Sequence, residues 1–141
     1  VSSIDIVPTI LAASGVKAPE KLPGINLLPH LEKQIPIKRD IIFGESFAHD
    51  IADINKPEAS LLFRWAIKDQ WKLLLTYDGE VNRYKSTHPR NEKRPQLFDL
   101  SNDPQEKINQ AKENPNKVAE LVKAINSWYP LKERKTITVF D

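Results

Sequence analysis

Leu61-Leu62-Phe63-Arg64-Trp65-Ala66-Ile67-Lys68-Asp69-Gln70-Trp71-Lys72-Leu73-Leu74-Leu75-Thr76-Tyr77 is the stretch that decides the fold. Leu61, Phe63, Trp65 and Ile67 alternate with Leu62, Arg64, Ala66 and Lys68. Beyond Asp69-Gln70, Trp71, Leu73, Leu75 and Tyr77 alternate with Lys72, Leu74 and Thr76. Two period-two runs across a short polar break predict an antiparallel hairpin. On this reading Leu61, Phe63, Trp65 and Ile67 form the buried face, and Arg64 points away from it to pair with an acid or reach a ligand. Asp78-Gly79 is a turn dipeptide that closes the second strand.

Working outward, residues 40–47, Asp-Ile-Ile-Phe-Gly-Glu-Ser-Phe, read as a strand with Ile41, Phe43 and Phe47 available for burial. Gly44 inside it predicts a bulge or a close backbone approach. Residues 48–60 are a polar loop, and residues 80–95 a charged surface loop. Gln96–Leu100 is a short strand. Asp103-Pro104 has the grammar of an N-cap and N1 proline, with Glu106 as capping-box partner, and predicts a helix. Asn114-Pro115 repeats that grammar. It precedes an amphipathic stripe of Val118, Leu121, Val122, Ile125, Trp128 and Tyr129, which stops at Pro130. Strands followed by a covering helix make an α+β fold, a small antiparallel sheet of three or four strands packed by the C-terminal helix.

The N-terminal stretch is organised differently. Ser2 or Ser3 caps a helix, Asp5 lies in its first turn, and Gly15 stands where a left-handed C-cap belongs. Ile4, Val7, Ile10 and Leu11 form one apolar stripe. Pro19, Pro23, Gly24, Pro29 and Pro36 then punctuate an ordered connector, with one helical turn within Asn26–Leu31. The division expected is residues 1–39 and residues 40–141. The stripe, and an opening without Met, predict that the chain continues a larger protein. Self-association of the 141 residues through that stripe is expected.

Composition narrows the chemistry. The 21 cations against 19 anions leave a net charge of +2, too small an excess to argue for nucleic acid. No apolar run approaches a membrane span. With no cysteine, thiolate metal sites, disulfides and a Cys nucleophile are excluded in these 141 residues. His30, His49 and His88 lie far apart without metal-ligand spacing, and no Gly-rich phosphate loop or Gly-x-Ser-x-Gly elbow occurs. Catalytic and metal-ligating residues are therefore expected to number none.

Three motifs in order carry a resemblance. Ser3–Leu11 with Gly15, then Leu22-Pro23-Gly24-Ile25-Asn26-Leu27-Leu28-Pro29, comes first. Arg64-Trp65-Ala66-Ile67-Lys68 to Trp71-Lys72-Leu73 follows. Gln96-Leu97-Phe98-Asp99-Leu100-Ser101-Asn102-Asp103-Pro104-Gln105-Glu106 with Asn109 is third. The chain resembles the C-terminal portion of a type I sulfatase of the alkaline phosphatase superfamily. The resemblance implies that residues 1–39 end a catalytic α/β domain and residues 40–141 form the C-terminal subdomain. It further implies a parent with a formylglycine nucleophile from a Cys/Ser-x-Pro-x-Arg sequence, a Ca2+ or Mg2+ ion, and a periplasmic or secreted location. The implied partners are an N-terminal sulfatase domain and a sulfated carbohydrate or aryl sulfate ester, with neither nucleic acid nor membrane.

That nucleophile motif does not occur here: Ser86-Thr87-His88-Pro89-Arg90 has the wrong spacing. The chain alone is expected to be inactive. His49, beside Asp50 after the Gly44-Glu45 strand, and Arg64 are the candidate substrate-binding residues. Arg83, Lys85, Arg90, Lys93 and Arg94 make residues 80–95 basic, which suits a polyanionic glycan and equally an ordinary solvated loop. Two readings compete: a related phosphodiesterase or phosphonate hydrolase, and a non-catalytic carbohydrate-binding module, which requires at least two of Trp65, Trp71 and Trp128 to be exposed.

Overall fold

The computed structural model describes residues 1–49, 53–77 and 94–131. The chain divides into two compact units, Val1–Arg39 and Asp40–Asp141. The expected turn at Asp78-Gly79 and nearly all of the charged loop lie outside the described residues.

In the first unit a 3-10 turn, Ser3–Asp5, leads into α1, Ile6–Ala13, and α2 spans Leu28–Lys33. Asp5 does more than sit in a first turn. It is 0% exposed, and its carboxylate accepts the Ser2 N–H at 2.7 Å and the Ile25 N–H at 2.9 Å. Arg39 adds two bonds to the same group, at 2.9 and 2.5 Å. Together these hold the Asp5 carboxyl far below the usual carboxylate range, the Arg39 bond being the largest cause. Thr9 Oγ1 donates to Asp5 O and accepts the Leu27 N–H, pinning the connector onto α1.

The end of α1 is a Schellman cap: Gly15 has φ +68°, its N–H reaches Ala12 O, and the Val16 N–H reaches Leu11 O. Gly24 has φ +101°, and a Cβ there would fall 2.1 Å from Ile4 O, so only glycine passes. Within this unit the apolar stripe faces outward, with Ile4 45%, Val7 51% and Ile10 57% exposed.

The second unit is a four-stranded antiparallel meander in the order β1-β2-β3-β4. Its strands are β1 Ile42–Phe47, β2 Leu61–Lys68, β3 Trp71–Thr76 and β4 Gln96–Asp99. The β2–β3 hairpin turns at Asp69-Gln70, with Lys68 opposite Trp71 and Asp69 at φ +54°, a conformation Asp tolerates. Helix α3, Pro115–Trp128, covers one sheet face with Val118, Leu121 and Ile125 buried. Asn114 does not cap it with its side chain; Asn114 Nδ2 donates to Gln110 O instead.

Which face is covered differs from the sequence reading. Arg64 and Ala66 lie opposite Leu75 and Leu73, and all four are buried on the α3 side. Phe63, Trp65 and Ile67 lie on the other face, half-buried. Both strand faces carry apolar residues, so alternation finds the strand without choosing its inner side. Phe47 is also not buried; the register shifts between Ser46 and Phe47 and leaves its ring at the surface.

Gly44 is a close approach, not a bulge. A Cβ there would lie 2.1 Å from Trp65 Cζ2. Gly44→Ala is therefore expected to displace the indole and lower unfolding free energy by about 2 kcal/mol, read from a urea midpoint.

The helix expected after Asp103-Pro104 does not form. Residues 101–113 are turns, Asp103 Oδ2 accepts the Ile108 N–H at 2.8 Å, and Glu106 has φ +56°. Glu106 is no capping-box partner; both its oxygens accept from Lys72 Nζ on β3. This segment lies along the outer edge of β4. Asn109 Oδ1 accepts the Leu97 N–H at 3.0 Å, Asn109 Nδ2 donates to Pro95 O, and the Gln110 N–H reaches Leu97 O.

Candidate functional site

The exit of β1 gathers the chemistry that remains. After Phe47 the Ala48 N–H bonds Ser60 O at 2.7 Å, which ties the strand end to the 3-10 turn Pro57–Ser60. His49 follows at the surface. A cavity of about 230 Å³ opens here, lined by Phe47, Ala48, Asp53, Ile54, Pro57 and Ser60. Asp53 is the charged residue among its described lining, and its Oδ1 accepts the Asn55 N–H at 2.8 Å.

Arg64 lies elsewhere in chemical terms. It is 1% exposed, beneath the C-terminal end of α3. Arg64 Nε donates to Tyr77 Oη at 2.7 Å and Nη2 to Asn126 Oδ1 at 2.8 Å. Nη1 donates to the carbonyls of Tyr129 and Ile125. Four bonds thus occupy a group with five N–H donors, and two of them satisfy carbonyls at a helix C-terminus. A cation is well placed there, against the negative end of the helix dipole.

Glu45 stands directly opposite Arg64 on β1. Partial burial pushes the Glu45 carboxyl up, and the Arg64 charge opposes that. Tyr129 is also pushed up, first by burial and then by Glu58 and Glu45. The alternation of β2 could not reveal these relations, because they depend on α3 crossing the sheet.

Of the two predicted site residues, then, the structure puts His49 at the surface, one residue beyond Ala48 of the cavity wall, and Arg64 inside. His30 Nδ1 lies 2.8 Å from Ile35 O. Among the described residues no group of three or more His, Cys, Asp or Glu side chains is placed to hold a metal. The chain also lacks Cys and any Ser followed by Pro two positions on and Arg four positions on. These residues do not fit a formylglycine or its metal, and no chemical step is assigned to either here. No described helix is long and apolar enough to cross a membrane. Trp65 and Trp71 are half-buried, while Trp128 is 43% exposed with its ring stacked on Phe43 at 5.0 Å.

No protein-family model matches the chain. It is 31% identical over 129 residues to arylsulfatase K of Xenopus laevis, an alignment covering 90% of this chain and 22% of the relative. It is 40% identical over 62 residues to an N-acetylgalactosamine-6-O-sulfatase of Bacteroides thetaiotaomicron, across 43% of this chain and 12% of the relative. Along nearly its whole length the chain is similar to sulfatases.

It spans about a fifth of the length of arylsulfatase K. Among solved structures, a Bacteroides thetaiotaomicron sulfatase from work on glycosaminoglycan metabolism superposes with TM-score 0.60 at 28% identity, over 88% of this chain and 24% of that one. A phosphonate monoester hydrolase of Agrobacterium radiobacter superposes with TM-score 0.59 at 23% identity, over 97% of this chain and 28% of that one, a likeness of fold. In this segment Arg64 bonds the end of α3, and His49 lies at the surface. The motif from Gln96 to Asn109 is a device of folding: Asp99 accepts the Ser101 N–H and the Asn102 side-chain amide, and Asn109 pairs with β4.

Proposed function

We propose that this chain is the C-terminal portion of a sulfuric ester hydrolase that acts on sulfated carbohydrate. The observation that carries this is the 31% identity to arylsulfatase K across 129 residues. The N-acetylgalactosamine-6-O-sulfatase likeness supports an amino-sugar sulfate over an aryl sulfate. Residues 40–141 are the subdomain that borders the substrate cleft, and residues 1–39 are the last helix and connector of the catalytic domain. The outward apolar stripe of α1 supports that division, since such a face is buried in a partner or in a second copy.

The nucleophile, the Ca2+ or Mg2+ ion and the principal sulfate-binding cations come from the N-terminal domain. His49 borders the cleft and contacts the sugar. Arg64 acts through position, holding α3 against the sheet that carries β1. A phosphonate or phosphodiester hydrolase is the alternative, supported by the fold likeness to the Agrobacterium radiobacter enzyme.

The test is sulfate release from sulfated amino sugars. The 141 residues alone are expected to give none above background, and a polypeptide extended by a catalytic domain with Cys/Ser-x-Pro-x-Arg is expected to turn over. In that longer protein His49→Ala is expected to raise KM about fivefold with little change in kcat, as a lost uniform binding contact does. Turnover by the 141 residues, or hydrolysis of phosphonate monoesters only, would overturn the reading. Sedimentation of the 141 residues is expected to give a mass above monomer through α1; a monomer removes that expectation.

A further inference from the structure

We propose that the cavity at the β1 exit binds the acetamido group of an amino sugar, an inference that rests on the sulfated-carbohydrate reading above. The walls are apolar where a methyl group needs them: Phe47, Ile54 and Pro57 present hydrocarbon, with Ala48 at the base. At about 230 Å³ the space exceeds the ~150 Å³ that accepts a benzene ring, so volume does not exclude the group.

Polarity then selects among sugar substituents. Asp53 is a hydrogen-bond acceptor in a wall whose other polar member is Ser60, and the Asn55 N–H on Oδ1 fixes the direction of its carboxylate. The second carboxylate oxygen is the acceptor offered to a ligand N–H. An acetamido group supplies both halves, a methyl for the hydrocarbon and an amide N–H for Asp53. A sulfate supplies neither, an N-sulfo group supplies the N–H but no methyl, and the Asp53 charge repels the anionic sulfonate of both. A plain hydroxyl satisfies Asp53 and leaves the apolar wall wet.

The wall is held in place from both sides. The Ala48 N–H on Ser60 O fixes the strand end to the 3-10 turn, and the Lys56 N–H on Asp53 O closes the loop that presents Ile54. Exposed Ile54 and Phe47 thus stand on bonded backbone. His49 follows Ala48 in sequence, so a sugar seated with its acetamido group in the cavity lies near the His49 backbone.

The experiment is an amide chemical-shift titration of the 141-residue chain with N-acetylglucosamine, glucosamine, glucose and N-sulfoglucosamine. Saturable shifts at Phe47, Ala48, Asp53 and Ile54 are expected with N-acetylglucosamine only. Ile54→Glu is expected to abolish them while shifts elsewhere stay in place. Asp53→Asn, which keeps an oxygen for the Asn55 N–H, is expected to weaken N-acetylglucosamine about fivefold and to let N-sulfoglucosamine bind. Absence of saturable shifts, or equal shifts with glucose, overturns the proposal. A binding cavity in a longer protein that releases no sulfate would sink the hydrolase reading alone. Sulfate release with an unresponsive cavity would sink this inference alone.

Discussion

Replacing Arg64 with Met is expected to lower the unfolding free energy by about 3 kcal/mol, because four hydrogen bonds from a buried charged donor are lost. Hydrogen bonds to charged groups contribute roughly 1.5–3 kcal/mol each when buried, and less where an acceptor keeps another donor or meets water. Met fills much of the volume of the arginine stem, so the loss reports hydrogen bonds and charge more than a void. The acceptors that lose an arginine N–H are Tyr77 Oη, Asn126 Oδ1 and the carbonyls of Ile125 and Tyr129, of which Ile125 O keeps the Tyr129 N–H. Arg64→Lys is expected to recover little, because a single ammonium cannot span acceptors on β3 and α3 at once. Urea unfolding followed by far-ultraviolet circular dichroism checks both variants. A midpoint for Arg64→Met within error of the parent would refute the capping role. The same result would return Arg64 to consideration as a substrate-facing residue.

Asp5→Asn is the second large effect, in the first unit. It leaves the Arg39 guanidinium, 13% exposed, beside a neutral amide, and gives the Ser2 and Ile25 amides a worse acceptor. Breaking a buried, hydrogen-bonded ion pair at one partner costs about 3 kcal/mol or more. The pH dependence has a definite sign. Asp5 ionises more easily folded than unfolded, so the unfolded chain holds more protons below its unfolded pKa of about 3.9. The stabilisation is fully present above that pH and is lost as pH falls below it towards the depressed folded value. Hydrogen exchange at the Ile25 amide reads this locally: protection drops at low pH in the parent and is low at all pH in Asp5→Asn. Equal protection in both proteins at pH 7 would refute the assignment.

Much of the architecture was legible because it rests on short-range rules. The Leu61–Tyr77 alternation gave the hairpin, Gly15 gave the left-handed cap, and Asn114-Pro115 with its apolar stripe gave α3. The misread elements are those where a distant partner overrides local grammar. Asp103-Pro104 has a helix start written in it. The chain instead follows β4, where Asn109 bonds the strand and Lys72 holds Glu106. Arg64 reads as outward-facing because it alternates with the apolar Leu61, Phe63, Trp65 and Ile67, yet the end of α3 provides acceptors that no residue near Arg64 in sequence announces. At the candidate site, His49 was legible as a polar residue after a strand. The cavity was not, because Phe47 and Ala48 are brought to Pro57 and Ser60 by the pairing of Phe47 with Leu61 and the backbone bond at Ala48, which no local pattern announces.

The side chain of Asn109 has a consequence for how this protein behaves when crowded. A terminal strand offers a ladder of unpaired amides and carbonyls on which another chain can template itself into an intermolecular sheet. At β4 the Asn109 amide imitates a strand neighbour, taking the Leu97 N–H and giving a proton to Pro95 O, while the Gln110 N–H fills Leu97 O. Asn109 is thus a built-in chain terminator for sheet growth. Its loss would be felt first as fibre-forming propensity in concentrated solution, before any change in the fold of the isolated molecule.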